Sequence, residues 1–472
     1  MASPNISFNR IQSGIRKPGQ YIEFNTSLAV RTLPANAQKV LILGPMTAGG
    51  TKAPLESVSV FSANEAATYF GSGSLAHLMC IAAISSFAYL DLTMIGISDA
   101  AAGLAAAGTL TLAGSASSQG VVSLWVGNSR VDVAVSATDT PAIIAASVAA
   151  AVANQPGLPV TATVKDGVVT LTAKNKGLAG NGISLRAQST ATGVTATVVA
   201  MSGGDVDPDI TVALSHVAAG GHNIIITPFA TQTALTALRT HLEFVSGPME
   251  QRGAVGVAGW SASLATGTTL TSALNSGRIT VGWHNGSSMQ PAEIAAAYGA
   301  VIASEEDPAR PLNTLPLALD VTPITSRPGR TEQESALHNG LTPFEVGPGD
   351  TVQIVRAITT YTKNATGVDD VALLDLTTIR TLDYVRKACR ERIALRFPRD
   401  KLSARTPKLV ESELYDVLLK LEELEILEAV EDNKNGLIVE RDSQDVNRLD
   451  ARIPADVVNG LHVFAGRIDL LL

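Results

Sequence analysis

Two continuously apolar runs, Val40-Leu41-Ile42-Leu43-Gly44-Pro45 and Thr93-Met94-Ile95-Gly96-Ile97, open the regular part of the chain. Such runs read as strands covered on both faces. Between them Ser62 or Asn64 stands where a cap starts a helix through Tyr69, and a second helix covers about 74–90. Strand, helix, helix, strand implies an α/β core. The same texture returns after Pro208. Strands are predicted at 223–228, 255–258 and 278–284, with helices at 231–244 and 263–275 between them. A small-residue helix then runs from Pro291 to Ser304, its proline sitting where a missing N–H costs nothing.

Between 100 and 204 the pattern shifts to short alternating segments rich in Ala, Gly, Ser, Thr and Val: 109–112, 121–126, 130–135, 160–164, 168–173, 183–186 and 195–199. Asp166-Gly167 marks a tight hairpin, and one helix, about 140–154, interrupts the strands. The last third reads as a strand at 352–361, long helices at 373–396 and 411–428, and short strands at 437–441 and 448–453. The fold class is therefore α/β (α+β) and multidomain. An N-terminal arm spans 1–27, a layered core 28–98 and 208–350, and an inserted β-rich domain 99–207. A C-terminal α+β domain covers 351–457, and an arm strand 458–472.

The two ends share a pattern. Tyr21-Ile22-Glu23-Phe24-Asn25 alternates after a leader broken by prolines and glycines, and 461–472 alternates with Phe464, Ile468, Leu470 and Leu472 on one face. Neither has a hairpin partner beside it. Unpaired strands invite aggregation, and both problems vanish if each end adds a strand to a neighbouring subunit. Tyr21, Ile22, Glu23, Phe24, Val463, Phe464, Ile468 and Leu470 are the candidate exchange residues.

Composition narrows the function. With 46% hydrophobic and 17% charged residues the chain folds. Only 4% is aromatic, too little for stacking on single-stranded nucleic acid, and the net charge of -8 is wrong for neutralising phosphates. The most apolar stretch, about 75–90, is too short and polar to span a bilayer, and no signal peptide appears. Cys80 and Cys389 sit in apolar helical stretches and read as buried thiols in a reducing compartment. Nucleic-acid binding and membrane insertion are not expected.

No zinc-protease helix, phosphate loop, dinucleotide fingerprint or serine elbow is present. Asp205-Val206-Asp207-Pro208-Asp209 opens like a calcium loop, but Ile210 and His216 stand where glycine and glutamate are required. No catalytic, cofactor or metal residues are assigned. The concentrated chemistry is basic. Leu382, Val385, Cys389 and Ile393 form a helical stripe, with Arg386 and Arg390 on one flank and Arg392 and Arg396 near the other. Two readings stand: an acidic partner surface, or internal pairing with Glu411, Glu413, Glu422, Glu423 and Glu425 of the next helix.

Several segments resemble the tail sheath proteins of Mu-like contractile phages: Asp307-Pro308-Ala309-Arg310-Pro311-Leu312-Asn313-Thr314-Leu315; Arg330-Thr331-Glu332-Gln333-Glu334 with Leu337–Pro343; Asn175–Asn181; Met201–Gly204 with Asp207–Asp209; and Asn447–Leu461. The likeness runs in order over nearly the whole chain. It implies a non-enzymatic homo-oligomer of many copies that stacks around a tail tube, exchanges arms, and contracts from a metastable extended state to drive the tube through the host envelope. It further implies baseplate and tail terminator partners, no cofactor, and a place in the virion tail after assembly in the host bacterial cytoplasm. Its C-terminal domain faces the tube; charge and position make Arg386, Lys387, Arg390, Arg392 and Arg396 the candidate tube contact. The rival readings are a baseplate or secretion-system sheath component and a particle-associated hydrolase.

Overall fold

The computed structural model describes residues 16–22 and 33–471. β1 (Lys39–Pro45) is followed by the short β2 (Ser57–Ser59), α1 (Ala63–Phe70), α2 (Leu75–Ser86) and β3 (Asp91–Ile97). Ser62 is the cap of α1, its hydroxyl accepting from Glu65 N, and Ser74 does the same for α2 through His77 N. The insertion contains β4 (Ala107–Ala113), β5 (Gly120–Val126), β6 (Ser129–Val135), α3 (Pro141–Ala153), β7 (Val160–Lys165), β8 (Val168–Ala173), β9 (Leu185–Ser189) and β10 (Thr195–Ser202). The core resumes with α4 (Thr211–Val217), β11 (Ile224–Ile226), α5 (Gln232–Ser246), β12 (Val255–Trp260), α6 (Leu264–Leu274), β13 (Ile279–Trp283), α7 (Pro291–Ser304), β14 (Pro316–Leu317), α8 (Arg330–His338), β15 (Thr342–Gly347) and β16 (Thr351–Ile354). α9 (Leu376–Arg396), α10 (Thr406–Glu423), β17 (Ile438–Arg441) and β18 (Leu449–Arg452) complete the chain.

The core sheet runs β14-β16-β15-β13-β12-β11-β1-β3-β2. Its six central strands, β15 to β3, are parallel. Side chains alternate between faces. Val40, Ile42, Leu92, Met94, Ile224 and Ile226 join the core beneath α2 and α7, while Leu41, Leu43, Ile95 and Ile225 join the core beneath α4, α5 and α6. Continuous apolar runs are what such double burial requires. Two glycines set the depth of the helices. A Cβ on Gly44 would lie 2.5 Å from Ala76 Cβ, and one on Gly259 2.0 Å from Pro291 O, so α2 and α7 rest almost on the sheet backbone.

The insertion folds as two antiparallel sheets, β10-β4-β8-β7 and β6-β5-β9, around a core of their own shared with α3. Asp166 takes a φ of 54° in the β7–β8 hairpin. The turn 174–182 reaches back to the core. Asn175 Oδ1 accepts from Leu75 N at the start of α2, and its Nδ2 donates to Met46 O and Asp99 Oδ1. Lys174 Nζ donates to Ser72 O, and Asp207 Oδ1 accepts from Ala179 N.

The strand expected at 352–361 stops at Ile354. Beyond it, threonine hydroxyls take over the work of a ladder: Thr280 and Thr342 both donate to Ile358 O, and Thr360 donates to Ser276 O. The first long helix, α9, starts three residues later than expected and ends where expected, at Arg396; α10 is shifted five residues towards the N-terminus, running from Thr406 to Glu423, and the sequence pattern predicts neither of the short helices α4 and α8.

Replacing Asn175 by alanine removes two hydrogen bonds between insertion and core, to Leu75 and Met46, and a third to Asp99 at the boundary, and orphans an N–H at the α2 start. At about 1 kcal/mol each, a loss of roughly 1–3 kcal/mol is expected in urea denaturation. An unchanged midpoint would show that the two strand connections alone hold the insertion.

Candidate assembly interface

The basic helix α9 joins the core to the C-terminal module. Its first half is pinned to the core: Arg278 makes a two-pronged pair with Asp383 at 2.7 and 3.0 Å, and Arg356 one with Asp375 at 2.8 and 2.7 Å. Its second half packs on α10 through Val385, Ala388, Cys389, Leu414, Val417 and Leu421. The candidate tube-contact residues divide accordingly. Arg392 is 4% exposed in its side chain and reaches Glu413 at 3.1 Å and Asp416 at 2.8 Å. Arg396 meets Glu413 at 3.2 Å. These two therefore hold α9 to α10 rather than face outward; internal pairing with Glu413 is correct, and Asp416 is the partner that sequence reading missed. Arg386 donates to Ser246 O and Asp383, Lys387 to Ala35 O, and Arg390 to Gln251 O and Oε1. This flank, with Arg390 exposed, is where α9 shows positive charge.

Burial alone would raise the Asp416 carboxyl, but hydrogen bonds from Lys420 and Arg392 more than offset it and hold it below the ordinary carboxylate range. The thiols go the other way: burial pushes Cys80 up to about 12 and Cys389 to about 11, which leaves both as inert apolar groups.

β17 and β18 form a two-stranded antiparallel sheet that pairs with no other strand among the described residues. Beside it lies an apolar cleft of about 780 Å³ between α9, α10 and β18, lined by Cys389, Ile393, Phe397, Val410, Leu449 and Ile453. The chain then leaves the module. Val458 N bonds Ile426 O, and His462 Nδ1 lies 3.0 Å from Asn313 Nδ2, which roots the last segment on the Asp307–Leu315 stretch. From Val463 to Leu471 no described residue buries it. Val463, Phe464, Ile468 and Leu470 are 78–98% exposed and lie in no strand. Tyr21 and Ile22 are likewise exposed and outside any strand; Glu23 and Phe24 lie outside the described residues.

Comparison with known proteins supplies the family. Residues 203–360 match the phage tail sheath protein central domain, and 368–470 the phage tail sheath C-terminal domain. The Mu-like prophage FluMu tail sheath protein of Haemophilus influenzae is 33% identical, covering 99% of this chain and 100% of its own. The chain belongs to the phage tail sheath family. Solved structures agree on the fold. A sheath tail protein from Desulfitobacterium hafniense superposes with a TM-score of 0.52 at 14% identity over 94% of this chain and 97% of its own. The contracted helical sheath of the anti-feeding prophage gives 0.50 at 12% identity, over 96% and 98%. The protein is a structural subunit of a contractile sheath, in a family that is not an enzyme family.

The sheath subunit fills the crevice where open α/β sheets commonly take ligands. That crevice lies at the carboxyl ends of β1 and β11, where the strand order reverses. The turn 178–182 of the insertion sits over it, leaving a cavity of about 180 Å³ lined by Ala179, Asp207, Phe229, Trp260 and Pro291. Asp205, Asp207 and Asp209 serve turns and caps: Asp209 accepts from Thr211 N at 2.9 Å. Among the described residues no group of acidic, histidine or cysteine side chains has metal-holding geometry, and no helix is long and apolar enough to cross a membrane.

Replacing Arg392 by methionine removes two charge-assisted hydrogen bonds between α9 and α10, while Asp416 keeps Lys420 and Glu413 keeps Arg396, and a loss of about 1–3 kcal/mol is expected by chemical denaturation. Asp416 has a lowered folded pKa, so its contribution is full above its unfolded value and disappears as pH falls through the folded one. Wild type should therefore lose more stability on acidification than Asp416→Asn; parallel acid titrations of the two proteins would remove the assignment.

Proposed function

We propose that the sheath subunit polymerises around a tail tube by arm exchange, in an extended state that contracts to drive the tube through a host envelope. The observation that carries this reading is the mismatch at the C-terminus. A two-stranded sheet with open edges and an apolar cleft belongs to the same module as a last segment, Val463–Leu471, that lies exposed and in no strand. Isolated two-stranded sheets are marginal, and a third and fourth strand stabilise them. Arms built on Tyr21, Ile22, Glu23 and Phe24, and on Val463, Phe464, Ile468 and Leu470, supply those strands to β17 and β18 of neighbouring copies. Four or five backbone hydrogen bonds contribute a few kcal/mol at about 1 kcal/mol each, and each apolar side chain adds about 1.5–3 kcal/mol on full burial.

In this reading the rigid part comprises the core at 28–98 and 208–350, the insertion at 99–207 and the C-terminal domain at 351–457; the arms at 1–27 and 458–472 link the copies. The tube contact belongs to Arg386, Lys387 and Arg390 on the outer flank of α9, with Arg392 and Arg396 keeping that helix in place. Baseplate and tail terminator proteins close the polymer at its ends. The subunit assembles in the host bacterial cytoplasm and leaves in the virion tail. Contraction draws on the difference between two packings of one subunit rather than on a nucleotide.

Electron microscopy of the purified full chain is expected to show hollow tubes, which disappear when residues 1–20 and 459–472 are removed. Soluble single copies from both proteins would sink arm exchange. Charge reversal at Arg386 and Arg390 to glutamate should abolish decoration of tail tubes while far-UV circular dichroism stays unchanged; decoration at the wild-type level would take the tube contact away from α9.

A further inference from the structure

We propose that a cavity at the amino-terminal edge of the core sheet is an anion site, built around Arg380 and suited to a carboxylate or phosphate group. The cavity measures about 260 Å³ and lies where the chain entering β1, the loop before β12 and the first half of α9 meet. Five cations line it: Lys39, Arg252, Arg380, Lys387 and Arg390. Its single carboxylate, Asp383, is already engaged by Arg278 and Arg386. Arg252 pairs with Glu250 at 2.7 Å. Lys39, Arg380, Lys387 and Arg390 have no carboxylate at ion-pair distance among the described residues.

Arg380 makes the cavity more than a basic patch. It is 6% exposed, and although its Nη2 donates to Glu305 O at 2.5 Å, its Nη1 has no hydrogen-bond partner among the described residues. The Glu305 carboxylate does not supply one, since it faces Arg310 at 3.6 Å. A buried charged donor left unpaired is among the costliest features a fold can carry, and nearly all such groups have a partner in the working molecule. Water satisfies a neutral donor. Glu305 and Asp307 offset part of the Arg380 charge from beyond ion-pair distance, but with Lys39, Lys387 and Arg390 beside it the cavity favours an anion over water. Burial has pushed the Arg380 guanidinium down to about 10, so it remains charged at neutral pH and an arriving anion would relieve that shift. A planar, two-oxygen anion suits a guanidinium best.

Two sources share this chemistry: a side-chain carboxylate from an adjacent copy, or a free anion such as phosphate. The inference stands on Arg380, which belongs to neither the arms nor the proposed tube contact; the cavity shares Lys387 and Arg390 with that contact, so the Arg380→Met arm of the test separates the two and its failure would leave arm exchange untouched.

The test follows thermal unfolding of the full chain in rising inorganic phosphate, with ionic strength held constant by chloride. Wild type should gain several degrees as the site fills, and Arg380→Met should show no gain. Because Arg380 is buried, a second variant guards against simple misfolding. Lys387→Ala/Arg390→Ala keeps Arg380 and should shift the phosphate response to roughly tenfold higher concentration. A wild type that does not respond, or a response that Arg380→Met retains in full, overturns the site. Light scattering during assembly then separates the sources. Phosphate that stabilises the subunit and blocks tube growth identifies a neighbour's carboxylate as the occupant; phosphate that stabilises it and leaves growth intact identifies a free anion.

Discussion

The pair between Arg278, at the foot of β13, and Asp383, on α9, ties together two bodies that share no strand. With the Arg356–Asp375 pair about two turns before it, at the residue that precedes the helix, this pair fixes where α9 leaves the core. Everything after α9 inherits that direction. α10 is set against it by Arg392, Glu413 and Asp416, β17 and β18 pack on α10, and the last segment returns to the core at Asn313 and His462. The side chains of Arg278 and Asp383 are only 17% and 16% exposed, so solvent and salt screen the pair weakly. One charged contact thus sets the position of both an open sheet edge and a basic flank.

The insertion is held differently. Two chain crossings near Asp99 and Asp205 would suffice to attach it, yet Asn175 and Lys174 add a third attachment at the start of α2. The same turn closes the crevice above β1 and β11. In other α/β proteins that space is where a ligand meets helix N-termini; here the chain's own backbone and a half-buried Asp207 occupy it. Surplus sheet chemistry is thereby converted into attachment.

Strands buried on both faces were legible because their apolar runs admit no other placement, and Ser62 and Pro291 marked helix starts by local chemistry alone. The alternating segments of the insertion were legible for a different reason: a period of two marks strands covered on one face. What the pattern hid were features set at long range. The end of β16 depends on Thr280, Thr342 and Thr360 meeting backbone groups 16 to 84 residues away. The basic helix advertised its charge but not its direction. Arg386, Arg390, Arg392 and Arg396 look alike in sequence, and only the position of α10 decides that the last two face inward. Arg380 carried no signal at all, since a single arginine amid leucines and threonines announces neither burial nor an unpaired nitrogen.

The α7 helix has a further consequence. Eleven of its fourteen residues are buried, most of them alanine, and Gly259 lets it rest against the sheet with no gap for slack. Close-packed interiors of this kind are nearly incompressible and transmit strain rather than absorb it. A load applied to the core on one side of α7 therefore reaches the other side without being spent in deforming the block. In mechanical terms the subunit behaves as a stiff voussoir, and whatever give an assembly of such blocks possesses must reside in its joints.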